Sequence, residues 1–242
     1  MIDMHSHVDL YPSPLAVAEK ANACNSFTLA VTTSPRAWQA TSRILSPYKN
    51  ITVALGMHPE IVQQKAGELD LLLDLIPKVK ILGEIGLDGS TRNKVFFQLQ
   101  KKIFTSILIE AEKCGGRIIS VHSRDAGEMV LQNIREYSKN SIVILHWFSG
   151  TIEELRKAIA LGCFFSFGPA ALLSRHGREL AAKIPLDRLL PESDGPFAML
   201  KGKSIFPWES NLIYPSIADI HKISQEQLSH QIKNNFAVVT KF

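Results

Sequence analysis

The stretch Arg117–Gly150, which reads RIISVHSRDAGEMVLQNIREYSKNSIVILHWFSG, contains the pattern that decides the fold. Two short apolar runs, Arg117–His122 and Ile142–His146, flank an amphipathic segment over residues 124–138. Short runs rich in Ile and Val are typical of strands that are buried on both faces, and parallel strands need a crossover between them. The stretch therefore predicts a strand–helix–strand unit of a parallel sheet.

The same alternation extends over the whole chain. Strand-like runs occupy Ile2–His5, Phe27–Thr32, Ile51–Gly56, Lys80–Ile85, Arg117–His122, Ile142–His146, Cys163–Phe167 and Arg188–Glu192. Helix-like segments cover residues 14–23, 35–46, 64–76, 94–114, 124–138, 151–161, 170–183, 215–221 and 224–240, and an irregular stretch over 195–214 is expected to form a loop. Eight strand–helix units favour an α/β fold of the closed (β/α)8 TIM-barrel type over an open doubly wound sheet. Such a barrel typically takes about 250 residues, so the 242 residues predict a single domain, 1–242.

Composition restricts the class of protein. Apolar residues make up 45% of the chain and charged residues 21%, which excludes a disordered protein. Three cysteines without a CxxC pair argue against a disulfide framework or a thiolate zinc site and favour a reducing compartment. The start MIDMHSH lacks the features of a signal peptide, and no apolar run reaches the roughly 18 residues of a membrane span. We therefore expect a cytoplasmic protein with no membrane segment, whose net charge of +4 indicates a mild preference for anionic partners.

Imidazoles and carboxylates stand at the ends of the apolar runs. In a barrel of parallel strands these ends share one rim, which is where such barrels carry their active sites. Any one of these residues is an ordinary polar strand end, but so many at one rim predict a functional site. They are His5, His7, His58, Glu84, His122, His146 and Asp194.

The chemistry of these residues predicts a metal site at the carboxyl ends of the strands. His5 and His7 are two residues apart in an extended run, so both rings face the same side. Glu84 lies between Gly83 and Gly86, where little side-chain bulk blocks an approach to bound ions. The set offers enough nitrogen and carboxylate ligands for two divalent ions, with Glu84 as the expected bridge, and mixed N/O ligands suit Zn, Mn, Mg or Ni.

Six segments resemble, in order and spacing, the TatD family of metal-dependent hydrolases. They are IDMHSHVDL (2–10), ALGMHPE (54–60), ILGEIGLD (81–88), VHSRDA (121–126), HWFSG (146–150) and LLPESDGP (189–196). The resemblance implies a TIM barrel of the amidohydrolase superfamily that acts as a nuclease on DNA, in some members on RNA. It also implies residue roles: His5 and His7 bind a first metal, Glu84 bridges, His122 and His146 bind a second metal, Asp194 binds metal and handles a proton, and His58 lies near the substrate phosphate.

The chain departs from the family pattern after Asp194. Where the family usually has a basic stretch containing Arg-Asn-Glu-Pro, this chain has KGKSIFPWESN at residues 201–211. This difference puts the substrate range, and even the activity, in question. The opening DLYPSP (9–14) and the short chain resemble more narrowly the TatD-like component of Qat anti-phage defence systems, which implies partner proteins in a defence complex.

We expect a nuclease in which a metal-activated water attacks the phosphodiester, with Glu84 and Asp194 as the catalytic carboxylates. Arg124, Lys201 and Lys203 are candidates for phosphate contacts, and Trp208 or Phe197 for base stacking. This mixture favours single-stranded DNA or a free end. Two alternatives stay open, namely an amidohydrolase-type enzyme on a C–N or ester bond of a small molecule, and a non-catalytic subunit of a defence complex.

Overall fold

A computed structural model describes residues 1–241, in which strands and helices alternate. The strands are β1 (Ile2–Ser6), β2 (Phe27–Val31), β3 (Ile51–Ala54), β4 (Ile81–Gly86), β5 (Ile118–His122), β6 (Ile142–His146), β7 (Phe164–Phe167), β8 (Leu189–Pro191), β9 (Met199–Leu200) and β10 (Lys203–Ser204). The helices are α1 (Pro14–Cys24), α2 (Pro35–Leu45), α3 (Val62–Lys65), α4 (Leu69–Leu75), α5 (Phe97–Lys113), α6 (Gly127–Tyr137), α7 (Ile152–Ala160), α8 (Arg175–Lys183), α9 (Tyr214–His221) and α10 (Gln225–Thr240). The predicted strands are all confirmed as β1 to β8, with ends that differ by at most two residues.

Three predictions of local structure were wrong. The segment 170–183 is not one helix, because a 3-10 turn at Ala171–Leu173 and the extended Ser174 precede α8. The segment 64–76 is not one helix, because a 3-10 turn at Ala66–Glu68 separates α3 from α4. The Glu68 side chain there accepts hydrogen bonds from Arg36 N at 3.1 Å and from Lys65 Nζ at 3.1 Å. The expected loop over 195–214 contains the antiparallel hairpin β9–β10 and a 3-10 helix at Pro207–Ile213. Its turn places Lys201 and Gly202 at φ values of 51° and 76°, a pair typical of the tight turns that suit the twist of a hairpin.

The chain divides into two compact units. The first unit comprises Met1–Ala30, Leu45–Thr52 and the chain from Phe164 on, and the second comprises Val31–Ile44 and Val53–Cys163. The prediction of one domain over 1–242 stays a prediction. None of the helices within residues 1–241 combines the length and the apolar character that crossing a bilayer requires.

In the first unit, parallel strands bring the ends of β1 and β8 together. β1 pairs with β2 and β7 pairs with β8, both in parallel. β1 also lies beside β8, because Asp194 N donates to His5 O at 2.9 Å and His7 N donates to Gly195 O at 2.8 Å. The side chains that follow these two strands therefore meet at one edge of this unit.

In the second unit, β4, β5 and β6 form a parallel run, and the register of the β4–β5 pair shifts between Leu82 and Ile85. Ile81 lies opposite Ile118, and Ile118 lies opposite Ile142. The residues after β3 join the other side of β4, where Leu55 N donates to Ile81 O at 3.2 Å and Met57 N donates to Glu84 O at 3.0 Å. The carboxyl ends of these strands consequently place polar side chains at one edge of the second unit as well.

Candidate functional site

Three of the predicted ligands meet in the first unit, and we call His5, His7 and Asp194 the first-unit cluster. The rings of His5 and His7 have centroids 5.3 Å apart and planes 71° apart. Asp194 Oδ1 lies 3.7 Å from His5 Nε2 and 3.8 Å from His7 Nε2. All three side chains are buried. Two imidazoles and a carboxylate that converge in this way form a donor set suited to a divalent cation.

The backbone holds Asp194 in an unusual conformation. Its φ of 48° lies in the left-handed region, which Asp tolerates better than most residues. Asp194 N donates to His5 O, and Asp194 O accepts from Ala198 N at 2.9 Å. Hydrogen bonds on both sides thus fix the turn that presents the carboxylate, and strained residues of this kind cluster at functional sites.

The buried carboxyl of Asp3 binds to residues on both sides of this cluster. Asp3 accepts hydrogen bonds from Ser193 N at 2.9 Å, from Ser193 Oγ at 2.6 Å and from His5 N at 3.2 Å. Burial raises the pKa of Asp3 well above its ordinary value, although the hydrogen bonds from Ser193 act in the opposite direction. Asp3 therefore ties β1 to the residue before Asp194.

In the second unit, three imidazoles converge on a single carboxylate oxygen. Glu84 Oε1 lies 2.7 Å from His122 Nδ1, 3.1 Å from His146 Nε2 and 3.2 Å from His58 Nε2. The Glu84 side chain is almost fully buried, with 1% of it exposed. We call His58, Glu84, His122 and His146 the second-unit cluster.

Asp88 holds the outer nitrogen of one of these imidazoles. Its Oδ2 lies 2.9 Å from His122 Nε2, so the ring of His122 stands between Glu84 and Asp88. Asp88 Oδ1 accepts from Ser90 N at 2.9 Å and from Ser90 Oγ, and Asp88 N donates to Gln100 Oε1 at 2.7 Å. Asp88 is itself fully buried, so these hydrogen bonds fix both its position and that of His122.

The charges of this cluster favour a cation. Burial opposes the charged form of His122, but the hydrogen bonds to Asp88 and Glu84 outweigh it and raise the pKa of His122 to about 9. Burial likewise acts to raise the pKa of Asp88, but the hydrogen bonds from His122 and Ser90 dominate and hold that pKa well below its ordinary value. In the absence of metal, His122 is therefore protonated and donates hydrogen bonds to the carboxylates of Glu84 and Asp88.

The second-unit cluster also has the spacing of a metal site. Ligand atoms of His58, Glu84 and His122 all lie within 4.8 Å of one another. Metal–ligand bonds to imidazole and carboxylate are about 2.0–2.2 Å long, so ligand atoms around one ion lie a few ångströms apart. Glu84 Oε1 also lies 2.7 Å from His122 Nδ1 and 3.1 Å from His146 Nε2, so Glu84, His122 and His146 offer donors that fit a divalent ion.

His58 differs from the other imidazoles in its hydrogen bonds. Its Nδ1 accepts from Glu60 N at 3.1 Å, which requires the neutral ring to carry its proton on Nε2. A nitrogen that binds a metal must present a lone pair. In this tautomer Nε2 carries a proton, so it is a hydrogen-bond donor and not a metal ligand. The geometry brings His58 to Glu84, but its hydrogen bonds favour donation to an acceptor over metal ligation.

The predicted substrate residues lie in different surroundings. Arg124, Lys201 and Lys203 are exposed. The Trp208 ring stacks on Phe206, with centroids 4.7 Å apart and planes 7° apart, and the Lys20 ammonium lies 4.2 Å from the Trp208 centroid. A base that stacked on Trp208 would have to displace one of these two contacts.

Sequence reasoning did not assign roles to Asp88 or Asp3. Asp88 is the last residue of the segment ILGEIGLD, and its contact with His122 comes from the neighbouring strand. Asp3 shares the alternation of His5 and His7, which was the available signal, but its link to Ser193 joins residues 190 positions apart. Such contacts become visible only when the strands are paired.

Comparisons with known proteins agree with the fold and the donor chemistry. A family model described as "TatD related DNase" matches residues 2–241. "Uncharacterized metal-dependent hydrolase YabD" of Bacillus subtilis is 28% identical over 195 residues, which cover 77% of this chain and 76% of that protein. "3'-5' ssDNA/RNA exonuclease TatD" of Shigella flexneri is 29% identical over 174 residues, which cover 69% of this chain and 66% of that protein.

A solved structure supports the same fold. The crystal structure of YJJV, a TatD homologue from Escherichia coli K12, aligns with a TM-score of 0.87 at 21% identity and covers 99% of this chain and 97% of that one. The match confirms the predicted fold class, the α/β fold with parallel strands of TatD TIM-barrel proteins.

Proposed function

The chain belongs to the TatD-related DNase family of metal-dependent hydrolases, and from this premise we propose that it is a nuclease that cleaves phosphodiester bonds. The observation that carries the proposal is the second-unit cluster, in which the Glu84 carboxylate receives three imidazoles. Three imidazole nitrogens around one buried carboxylate oxygen form a donor set suited to a divalent cation, and titratable groups clustered in this way mark functional sites.

We propose that the chain binds two divalent ions. His5, His7 and Asp194 would hold one, and Glu84, His122 and His146 would hold the other. Bound divalent ions would lower the pKa of a water molecule and offset the negative charge of a phosphodiester. Asp88 forms a hydrogen bond with Nε2 of His122. The other ring nitrogen of His122, Nδ1, is then the one that would bind the metal.

The remaining roles follow from position and protonation. Asp194 accepts the proton of the attacking water and returns it to the oxygen that leaves when the P–O bond breaks. Its carboxylate is suited to this role because it is fixed by the turn after β8 and stands between two imidazoles. His58 donates from Nε2 to a phosphate oxygen, in keeping with the tautomer set by Glu60 N. Arg124, Lys201 and Lys203 are exposed and supply contacts to flanking phosphates.

The proposed substrate is nucleic acid, with DNA that is single-stranded or has a free end preferred. A relative named as an ssDNA/RNA exonuclease supports this choice. The small-molecule hydrolase is the competing function, and the assay below separates the two. A cytoplasmic location, partner proteins and a role in anti-phage defence stay predictions.

The test combines metal analysis with cleavage of single-stranded and double-stranded oligonucleotides. We expect Glu84→Gln to lose more bound metal than Asp194→Asn, because Glu84 Oε1 lies within 3.2 Å of three imidazoles whereas Asp194 Oδ1 lies 3.7 and 3.8 Å from two. Both variants should lose cleavage. The exposed Glu179→Gln on α8 is the matched control and should keep metal and activity. Equal metal content in the two variants, or cleavage that survives in both, would refute these roles.

A further inference from the structure

Phe197 is exposed directly beside the first-unit cluster. It follows Asp194 by three residues, and its ring lies 5.0 Å from the His7 ring with the two planes 83° apart. Although phenylalanine is among the residues most often buried, 62% of Phe197 is exposed. An aromatic ring left in solvent against a buried imidazole is a ready surface for a flat ligand.

The backbone on either side of Phe197 is anchored. Ala198 N donates to Asp194 O at 2.9 Å, and Ile205 N donates to Ala198 O at 3.0 Å. Ala198 and Ile205 are both buried, with 1% exposed. The 62% exposure of Phe197 shows that its ring lies on the surface of this anchored turn. The anchored backbone limits the positions that the ring can take, which lowers the entropy that a ligand must overcome.

The residues that follow Phe197 are also exposed, and along the chain they change from apolar to cationic. Met199 is 52% exposed, and Lys201 and Lys203 are exposed in and after the turn of the β9–β10 hairpin. We call Phe197, Met199, Lys201 and Lys203 the Phe197 strip. It begins with apolar side chains beside the first-unit cluster and ends with two cationic ones. A nucleotide chain presents complementary groups, namely a base that stacks on an aromatic ring and phosphates that attract lysine side chains.

We propose that Phe197 stacks against the nucleobase next to the bond that is cut, while Lys201 and Lys203 neutralise neighbouring phosphates. This inference rests on the proposed nuclease function and specifies its substrate contact. Trp208 is less suited to the role because Phe206 and Lys20 already contact its ring.

The experiment compares Phe197→Ala, Phe197→Leu and Phe197→Tyr with the parent on two single-stranded oligonucleotides. The two substrates are identical except that one lacks the base at the nucleotide next to the cut. We expect Phe197→Ala to lower kcat/KM on the complete substrate by about ten- to a hundred-fold, the range of one base–aromatic stack. Phe197→Tyr should retain activity, and Phe197→Leu should lose most of it because it keeps apolar bulk without an aromatic face.

The abasic substrate and a control variant make the result specific. On the abasic oligonucleotide, the parent should fall to the level of Phe197→Ala, and the two should then be equal. Leu173→Ala removes an apolar side chain of the same 62% exposure from the segment after β7 and should behave as the parent on both substrates. Fluorescence anisotropy with labelled oligonucleotides should show the same order of affinities, with metal content unchanged in every variant.

Each other outcome overturns a defined statement. Equal losses of Phe197→Ala on both substrates would make Phe197 a structural residue, and no loss on either would remove it from binding. In both cases the parent still cuts nucleic acid, so only this inference fails. A metal-loaded parent that neither binds nor cuts either oligonucleotide refutes the nuclease function, and the inference fails with it.

Discussion

His122 stands between the carboxylates of Glu84 and Asp88, an arrangement that suits the metal-binding role proposed for this imidazole. A metal-ligating histidine usually donates its outer N–H to a carboxylate or carbonyl, which fixes the tautomer and the orientation of the ring. Asp88 occupies that outer position, and Ser90 and Gln100 hold Asp88 in turn. In the proposed metal site, His122 is therefore oriented by Asp88, Ser90 and Gln100, none of which is a proposed ligand.

Asp88→Asn should weaken metal binding by about ten- to a hundred-fold, as found for such outer carboxylates. The aspartate accepts from Ser90 with one oxygen and from His122 with the other, whereas an asparagine has a single acceptor oxygen and leaves one donor facing its NH₂ group. Isothermal titration with Zn or Mn measures the change. Asp70→Asn, at an exposed position on α4, is the matched control. An unchanged affinity in Asp88→Asn would mean that Asp88 does not orient His122.

The sequence predicts which residues stand at strand ends, but it does not predict which residues they contact. His122 ends an apolar run, and that position alone indicates which edge of a parallel sheet it occupies. Its contact with Asp88 depends on the register between β4 and β5, which the sequence does not specify. The same limit applies to His58, whose donor role follows from a hydrogen bond to the backbone of Glu60.

At the scale of elements, the backbone of β4 at Glu84 lies very close to Gly56 in the segment after β3. A Cβ added to Gly56 would lie 2.1 Å from Thr32 O, 2.4 Å from Glu84 N and 2.6 Å from Gly83 C. All three are backbone atoms, so no side-chain rotation relieves the overlap. Only glycine allows the segment after β3 to approach the strand that presents Glu84.

Gly56→Ala should therefore destabilise the protein by about 1–3 kcal/mol or more and reduce its metal content, because β4 must shift to admit the methyl group. Urea unfolding and metal analysis give the two readouts. Gly67→Ala is the control, since a Cβ there meets nothing within 4 Å. That variant should be neutral or slightly more stable. If Gly56→Ala matched Gly67→Ala in both readouts, the close approach would not constrain the site.

The C-terminal helix α10 supports β8 through one buried amide. Asn235 Nδ2 donates to Leu186 O and to Leu189 O at 2.7 Å each, and Gln231 Nε2 donates to Asn235 Oδ1 at 2.8 Å. Because β8 leads directly to Asp194, this helix holds the start of the strand whose end carries a predicted ligand.

Asn235→Ala should lower the free energy of unfolding by about 2–4 kcal/mol, because it leaves two backbone carbonyls without this donor. Its neighbour Asn234 is exposed, and Asn234→Ala should leave stability within about 0.5 kcal/mol of the parent. Thermal or urea unfolding distinguishes the two. A loss of equal size in both variants would show that the helix, and not the Asn235 amide, is responsible.

Elements were easier to predict than the segments between them. Apolar runs bounded by glycine and proline located β1 to β8, because burial on both faces leaves a clear pattern. The β9–β10 hairpin was missed because its strands have two residues each and Pro196 and Pro207 flank it. The residues proposed to stack on substrate lie in that segment, so the least predictable part of the chain is also the part that concerns specificity.

At the scale of the whole molecule, fold and function have different support. The TatD-related DNase family covers residues 2–241, and the α/β fold follows from it and from the solved homologue. A shared fold does not determine a substrate, since function lies in the residues of the site. The departure at residues 201–211 makes the substrate the property that most needs a direct measurement.

The most direct measurement follows cleavage of a single-stranded DNA oligonucleotide by protein stripped of metal with a chelator and then reloaded. We expect the stripped protein to be inactive, and activity to return as Mn or Zn is added up to about two ions per chain. Glu84→Gln, treated in the same way, should bind less metal and stay inactive. Cleavage that persists in the stripped protein, or a fully loaded protein that leaves single-stranded DNA, duplex DNA and RNA intact, would contradict a metal-dependent nuclease.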